Sequence, residues 1–441
     1  MENNLEKVVK AFDSFGYYVD RKIERDIEEN RKGQFVINIT DENGKPFEGK
    51  ARIKQVSHQY KFGCTLFHLD QFPDDERKKL YKENFKKVFN YAVVPLYWDT
   101  LEPTKGKPRF SKDSPDVYRR PPIDTIVDFC KENKIGMKGH CLVYNSFQPD
   151  WIPDDNRSLR ILIDERIGEI AKRYGNAFED LDVINEMQSI YKNCYKGNGC
   201  RNLQITDDPD HEKWCFDVAR RHFPNSRLFW NEGIDQSFGS YYVGHRSFYY
   251  MTIEKMLSLG VPLQGIGMQY HAFHPNETLC NPLRIIDVLD RYGDFKLPIH
   301  ISEISIPSFS NEARDEELQG ELTKRLFKLW FSQKYCESIV WWNMADNTAF
   351  GEENAFHAGL VRNDCSPKPA YREIDNLINH EWHTEFEENI NGTLRFSGFY
   401  GDYEIELLTD GKCEKRTISL TTETTGYDNR LCDFRSKNII V

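Results

Sequence analysis

No stretch of this 441-residue sequence approaches the ~18 apolar residues of a membrane-spanning helix. The opening "MENNLEKVVKAFDSFGYY" lacks an apolar core of signal-peptide length. The expected location is therefore cytoplasmic, or extracellular if a leader has been removed. A basic surplus is missing as well. Lys and Arg number 59 against 70 Asp and Glu, a formal net charge of -11. That argues against a nucleic-acid partner, because phosphate attraction needs a basic face. No Gly-rich nucleotide loop follows any apolar run, and no HExxH pair offers a metal site. The 11 cysteines show no metal-like spacing and read as reduced, buried thiols. Only Cys194 and Cys200, in "NCYKGNGC", stand as a candidate pair.

The length suits a large barrel with a smaller module. Residues 1–32 are charged and helix-like. Residues 33–60 alternate about the turn "DENGKP" and predict a β-hairpin. Residues 386–441 have the same short alternating texture, and both ends are expected to join in a small accessory β-sandwich. Between them, over 61–380, eight apolar runs recur: "FGCTLF", "YAVVPLYW", "IGMKGHCLV", "LDVINEM", "SRLFWNE", "QGIGMQY", "LPIHISEI" and "SIVWWNM". Amphipathic segments separate them. The pattern predicts an α/β fold, a closed (β/α)8 TIM barrel, with a doubly wound open sheet as the alternative.

A barrel of this kind works at the C-terminal ends of its strands. The runs end in His140, Asn185 and Glu186, Asn231 and Glu232, Gln269 and His271, Glu303, and Trp341 and Trp342. A single strand-end acid is usually just solvated; six strands aiming polar or aromatic groups at one face suggest a site. Glu186 and Glu303 then face each other across the mouth. Two such carboxyls, one protonated and one ionised, are what glycoside hydrolysis requires. Asn185 could hold a substrate hydroxyl and His271 could orient Glu303. A metal set of His140, His271 and Glu303 is the weaker reading. Aromatic groups near strand ends suit sugar faces, although Trp341 and Tyr270 read as core.

In order along the chain, "KGHCLVYNSFQPDWI", "DVINEM", "LFWNEG", "GIGMQYHAF", "PIHISEISI" and "SPKPAYREI" resemble glycoside hydrolase family 10, the retaining β-1,4-xylanase family. The resemblance spans roughly residues 60–375. It implies Glu186 as general acid/base, Glu303 as nucleophile, Asn185 on the sugar 2-hydroxyl and His271 holding the nucleophile. It also implies His140 beside the sugar, and Asn231 and Gln269 in support. No metal or organic cofactor is implied; the partner is a β-linked polysaccharide or oligosaccharide, and the oligomeric state stays open. One alternative is a β-glycosidase of the same clan with a non-xylan or decorated substrate; the alternative of another class is a non-catalytic carbohydrate-binding protein on the same scaffold.

Departures cluster on the glycone side. Val93, Val94 and Tyr97 stand where the family has three polar residues, ahead of a retained Trp98. Tyr144 and Asn145 replace Trp and His, Phe350 stands where a second Trp is common, and His300 replaces a Gln. Trp98, Tyr97, Tyr144, Asn145 and Trp342 are expected to line the substrate site. The insert 189–214 is expected to wall the aglycone side. Residues 108–122, with Arg119 and Arg120, read as a solvated loop, with recognition of an acidic sugar as the alternative.

Overall fold

A computed structural model describes residues 4–188, 208–239, 241–409, 412–425 and 437–440. Two helices, Asn4–Asp13 and Gly16–Arg31, lead into β1 (Lys32–Thr40) and β2 (Glu48–His58). Eight strands follow: β3 (Lys61–Thr65), β4 (Tyr91–Pro95), β5 (Gly136–Tyr144), β6 (Asp180–Asn185), β7 (Arg227–Glu232), β8 (Gly265–His271), β9 (Ile299–Ser305) and β10 (Cys336–Trp341). Each corresponds to one of the eight apolar runs. They pair in parallel, and β10 returns to pair with β3, so the sheet is a closed barrel and the open alternative falls. Strands covered on both faces should be buried throughout, and β4, β6 and β9 are. The outer helices begin where the sequence supplies caps. Asp155 accepts from Ser158 N ahead of Asn156–Tyr174. Asn281 accepts from Leu283 N and Arg284 N ahead of Pro282–Tyr292, which opens on proline.

The barrel interior is unusually polar for its depth. At its N-terminal end Asp180 pairs with Lys61 at 2.6 Å and Arg227 at 2.7 Å, and His300 meets Glu337 at 3.0 Å. One layer up, Lys138 and His140 flank Asp182 at 2.7 and 2.8 Å. Burial pushes the His300 imidazole down to about 4, which leaves it neutral. Register shifts interrupt β5, β6 and β9 near their C-terminal ends. On β9, Ile301 and Ile304 oppose Met268 and Tyr270 of β8, three residues against two. Such a bulge re-aims the side chains beyond it. That is how His300 and Glu303, three apart, both point inward.

Beyond the barrel come β11 (Glu385–Asn391), β12 (Thr393–Phe399), β13 (Gly401–Thr409), β14 (Lys412–Leu420) and β15 (Lys437–Ile440). With β1 and β2 they form one seven-stranded sheet in the order β14-β13-β2-β11-β12-β1-β15. The expected hairpin of residues 33–60 is therefore corrected: β1 and β2 are not neighbours. The turn itself forms, with Asp41 N bonded to Lys45 O. However, the β11–β12 hairpin wedges between the two strands. Gly392, at φ 72°, bonds both Phe47 O and Ile39 N. The sheet curls until Phe35 on β1 meets Tyr403 on β13, with ring centroids 6.1 Å apart, around its own apolar core. On the outer face Lys50, Arg52 and Lys54 of β2 pair with Glu387, Glu406 and Glu385.

This sheet sits at the N-terminal end of the barrel, away from the mouth. Tyr400, Thr422 and Gln59 share a cavity there with Glu179, Arg227, Pro298 and Glu337 at the strand starts. Trp382 stacks on Phe331 at 3.9 Å and on Phe62 at 5.8 Å between centroids. Arg31 donates to the carbonyls of Phe331, Gln333 and Cys336. Phe399, Tyr400 and Tyr403 are buried, so the aromatic tail serves packing. The eight described cysteines are unpaired and seven are buried; Cys194 and Cys200 lie outside the described residues. Among the described residues no helix is long and apolar enough to cross a membrane. Trp382→Ala should cost about 3–5 kcal/mol, the usual range for truncating a buried aromatic, measured by equilibrium chemical denaturation.

Candidate active site

Glu186 follows β6 directly and sits at φ 50°, a left-handed conformation that costs a non-glycine residue about 1–3 kcal/mol. Its backbone N–H is held by Asn231 O at 2.9 Å. Its carboxyl accepts from Tyr144 Oη at 2.7 Å and from Gln269 Nε2 at 2.7 Å. The same Gln269 nitrogen donates to Glu303 Oε1 at 3.1 Å. The two bonds laid end to end put the bonded oxygens of Glu186 and Glu303 no more than 5.8 Å apart.

Three donors converge on Glu303. Asn231 Nδ2 and Gln269 Nε2 reach Oε1 at 2.6 and 3.1 Å, and His271 Nε2 stands 3.0 Å from Oε2. Each donor is itself fixed. Asn231 also donates to Asn185 Oδ1 at 2.7 Å and accepts from Ser302. His271 Nδ1 meets Ser305 Oγ at 2.9 Å. His140, turned by Asp182, brings Nε2 to 3.8 Å from Glu303 Oε1. Burial opposes charge on His271, but its bond to Glu303 and their attraction outweigh that, and its pKa rises. Burial first, and the nearby Glu303 second, raise the pKa of Glu186. The bonds from Tyr144 and Gln269 pull the other way. The pair therefore combines a carboxyl biased toward keeping its proton with one ringed by donors. Among the described residues no group of three or more His, Cys, Asp or Glu could hold a metal ion.

These residues line a cavity of about 1110 Å³ at the barrel mouth. Tyr97, His140, Tyr144, Asn185, Gln269, His271 and Trp342 reach it; Asn231 acts from beneath. Trp342 packs edge-on against His140 and His271. Two expected wall residues lie elsewhere. Trp98 opens the short helix Trp98–Leu101, is buried against Trp151 and gives its N–H to Glu102 at 3.1 Å. Asn145 is fully buried off the cavity, since Tyr144 takes the inward position and its successor points away. Val93 lies under Tyr97 and Trp342 in a small apolar cluster. Trp341 and Tyr270 are core, each donating to a backbone carbonyl.

Several site residues escaped the sequence reading. Asp182, Ser302 and Ser305 brace His140, Asn231 and His271. An acid alternating inside an apolar strand, as in "DLDVIN", must have a partner, and that signal was present. The loop of residues 108–122 is solvated at Ser111–Asp113, Pro115, Asp116 and Tyr118, as expected, but not at its arginines. Arg109 pins it by donating to Thr100 O, Pro115 O and Arg120 O. Arg119 and Arg120 are left only 2% and 6% exposed, in the cavity wall. The expected wall from the insert 189–214 falls mostly on residues 189–207, outside the described residues.

A family model described as glycosyl hydrolase family 10 matches residues 53–377. The anti-sigma-I factor RsgI6 of Acetivibrio thermocellus is 26% identical over 408 residues, 90% of this chain and 47% of that protein. Endo-1,4-beta-xylanase 3 of Arabidopsis thaliana is 26% identical over 411 residues, 88% of this chain and 48% of that one. The chain spans about half or less of the length of these curated relatives. Native xylanase 10B from Thermotoga maritima superposes with a TM-score of 0.59 at 21% identity, covering 73% of this chain and 96% of that one. At such identity the likeness speaks to the fold.

Removing the Tyr144 hydroxyl takes away a bond to the Glu186 carboxylate. In Tyr144→Phe the Glu186 carboxyl should therefore titrate at higher pH than in the parent chain, followed by carbon-13 NMR of labelled glutamate. An unchanged or lower midpoint would count against the bond.

Proposed function

The chain belongs to glycosyl hydrolase family 10, and from that premise we propose that it cleaves β-linked glycans of the β-1,4-xylan or xylo-oligosaccharide type with retention of anomeric configuration. The observation that carries the reading is the single Gln269 nitrogen bonded to both carboxyls. The resulting separation, at most 5.8 Å between the bonded oxygens, fits the ~5–5.5 Å of a retaining pair. Between the bonded oxygens it leaves less room than the ~6.5–9.5 Å carboxyl separation with which an inverting enzyme admits its water.

The roles follow from the surroundings. Glu186, biased toward the protonated form by burial and by Glu303, delivers its proton to the leaving oxygen. Glu303, fixed by Asn231, Gln269 and His271, attacks the anomeric carbon and forms a glycosyl ester as the C–O bond breaks. Departure of the aglycone leaves Glu186 as a carboxylate. It then takes a proton from water, whose oxygen displaces Glu303 and restores both groups. Tyr97 and Trp342 offer ring surface for the sugar beside Glu303. No step calls for a cofactor.

Glu303→Ala and Glu186→Ala should each lower kcat on an aryl β-xyloside or xylo-oligosaccharide by about 10²–10⁴-fold or more. Wild-type turnover in Glu303→Ala would sink the mechanism. Proton NMR of the first product formed should show the β-anomer. An initial α-anomer means direct displacement by water. If no glycan in a broad panel is turned over by the parent chain, a carbohydrate-binding role takes the place of hydrolysis.

A further inference from the structure

Arg119 and Arg120 are the cavity-lining arginines that the mechanism does not use, and they share the wall with the acids Asp235, Glu352 and Glu353. Both are more than nine-tenths buried. Arg120 lies over the rings of Tyr97, Phe67 and Phe147, with its central carbon 4.0, 5.1 and 5.4 Å from their centroids. Stacking covers the faces of a guanidinium and leaves its donor edge free. Of that edge, among the described residues only Nη1 is used, donating to Arg119 O at 2.9 Å. Among the described residues Arg120 Nε, Arg119 Nε and Arg119 Nη1, all closed to solvent in this conformation, have no hydrogen-bond partner. The nearest carboxylate to Arg119 is Glu353, 3.9 Å away, beyond bonding distance and bonded instead to Asn343. Asp99 and Glu353 attract Arg120 only at longer range. Burial lowers Arg120 to about 10, so it stays charged at neutral pH.

Burying two like charges without a bonded counter-ion is costly. An anion arriving in the cavity would offset that cost. The position says which part of a substrate carries it. Tyr97 lies between Arg120 and His140, whose ring centroid is 5.5 Å from that of Tyr97. His140 in turn stands 3.8 Å from Glu303. The arginines thus border Tyr97, the ring that the hydrolase reading sets against the sugar held at Glu303. The sugar joined to Glu303 during the reaction is by definition the glycone.

We propose that Arg119 and Arg120 form a carboxylate-binding subsite for the glycone portion of the substrate, so that the preferred glycan carries a uronic acid there, in the chain or as a branch. The inference rests on the hydrolase reading for the word glycone, and its test does not depend on turnover. Two acidic probes serve: a xylo-oligosaccharide with a 4-O-methylglucuronic acid branch, and an oligosaccharide ending in a non-reducing uronic acid. Each is compared with its carboxyl-reduced, neutral twin. Binding is measured by calorimetry on Glu186→Gln, which mimics the protonated acid. At least one acidic probe should bind about 10-fold or more tightly than its twin, as expected for a charge-assisted forked contact. The advantage should shrink as salt rises, and fall to about twofold or less in Arg119→Met with Arg120→Met, and in Arg120→Gln if the double variant does not fold. Which probe shows it separates chain from branch. Twins that bind as tightly as both acids overturn the proposal, as does a preference that survives loss of the arginines. Hydrolysis with no acid preference leaves the hydrolase reading standing and removes this one. An acid preference in binding with no turnover does the reverse.

Discussion

Two carboxyl groups within reach of one amide nitrogen cannot both be ionised cheaply. Like charges about 5.5 Å apart repel by about 3 kcal/mol even at an effective dielectric of about 20. The site answers by giving them unequal surroundings. Glu303 receives Asn231, Gln269 and His271, while Glu186 receives Tyr144 and shares Gln269. The asymmetry comes with a Glu186 pKa raised by burial and by the nearby Glu303.

The polar barrel interior follows from the same constraint. Asn231 cannot bridge Asn185 and Glu303 unless its carbonyl is also satisfied, which Ser302 does. His140 cannot present Nε2 upward unless Asp182 holds Nδ1, and Asp182 needs Lys138 to remain charged. Burial alone would raise Asp182, but Lys138 and His140 reverse the sign and lower it. Below them the Lys61, Asp180, Arg227, Glu337 and His300 cluster closes the barrel floor, with the Phe229 and Tyr91 rings packed against it. The irregular register of β5, β6 and β9 turns this stack toward the mouth.

Much of this was legible in the residues. Eight apolar runs ending in polar groups specify a closed parallel barrel and the face on which it works, because burial on both sides leaves few other arrangements. Glu186, Glu303, Gln269 and His271 could be placed by position at strand ends. Less legible was anything decided by side-chain direction after a strand stops. Asn145 and Trp98 turn away within one residue of groups that point in. The β1–β2 pair shows the limit of local pattern. Its turn chemistry is right, yet partners some 350 residues later take the space between the strands. Arg119 and Arg120 looked solvated because their burial depends on Arg109 folding the loop back.

The charge ladder on the accessory sheet has a consequence during synthesis. At about 5–20 residues per second, β1 and β2 emerge roughly 16–65 s before β11, the strand that will pair with β2. A nascent strand left so long with open edges invites association with its neighbours on the same message. While it waits, β2 displays Lys50, Arg52 and Lys54 with no acidic partner, so two copies repel one another. The glutamates that discharge this repulsion, Glu385, Glu387 and Glu406, belong to the strands it is waiting for.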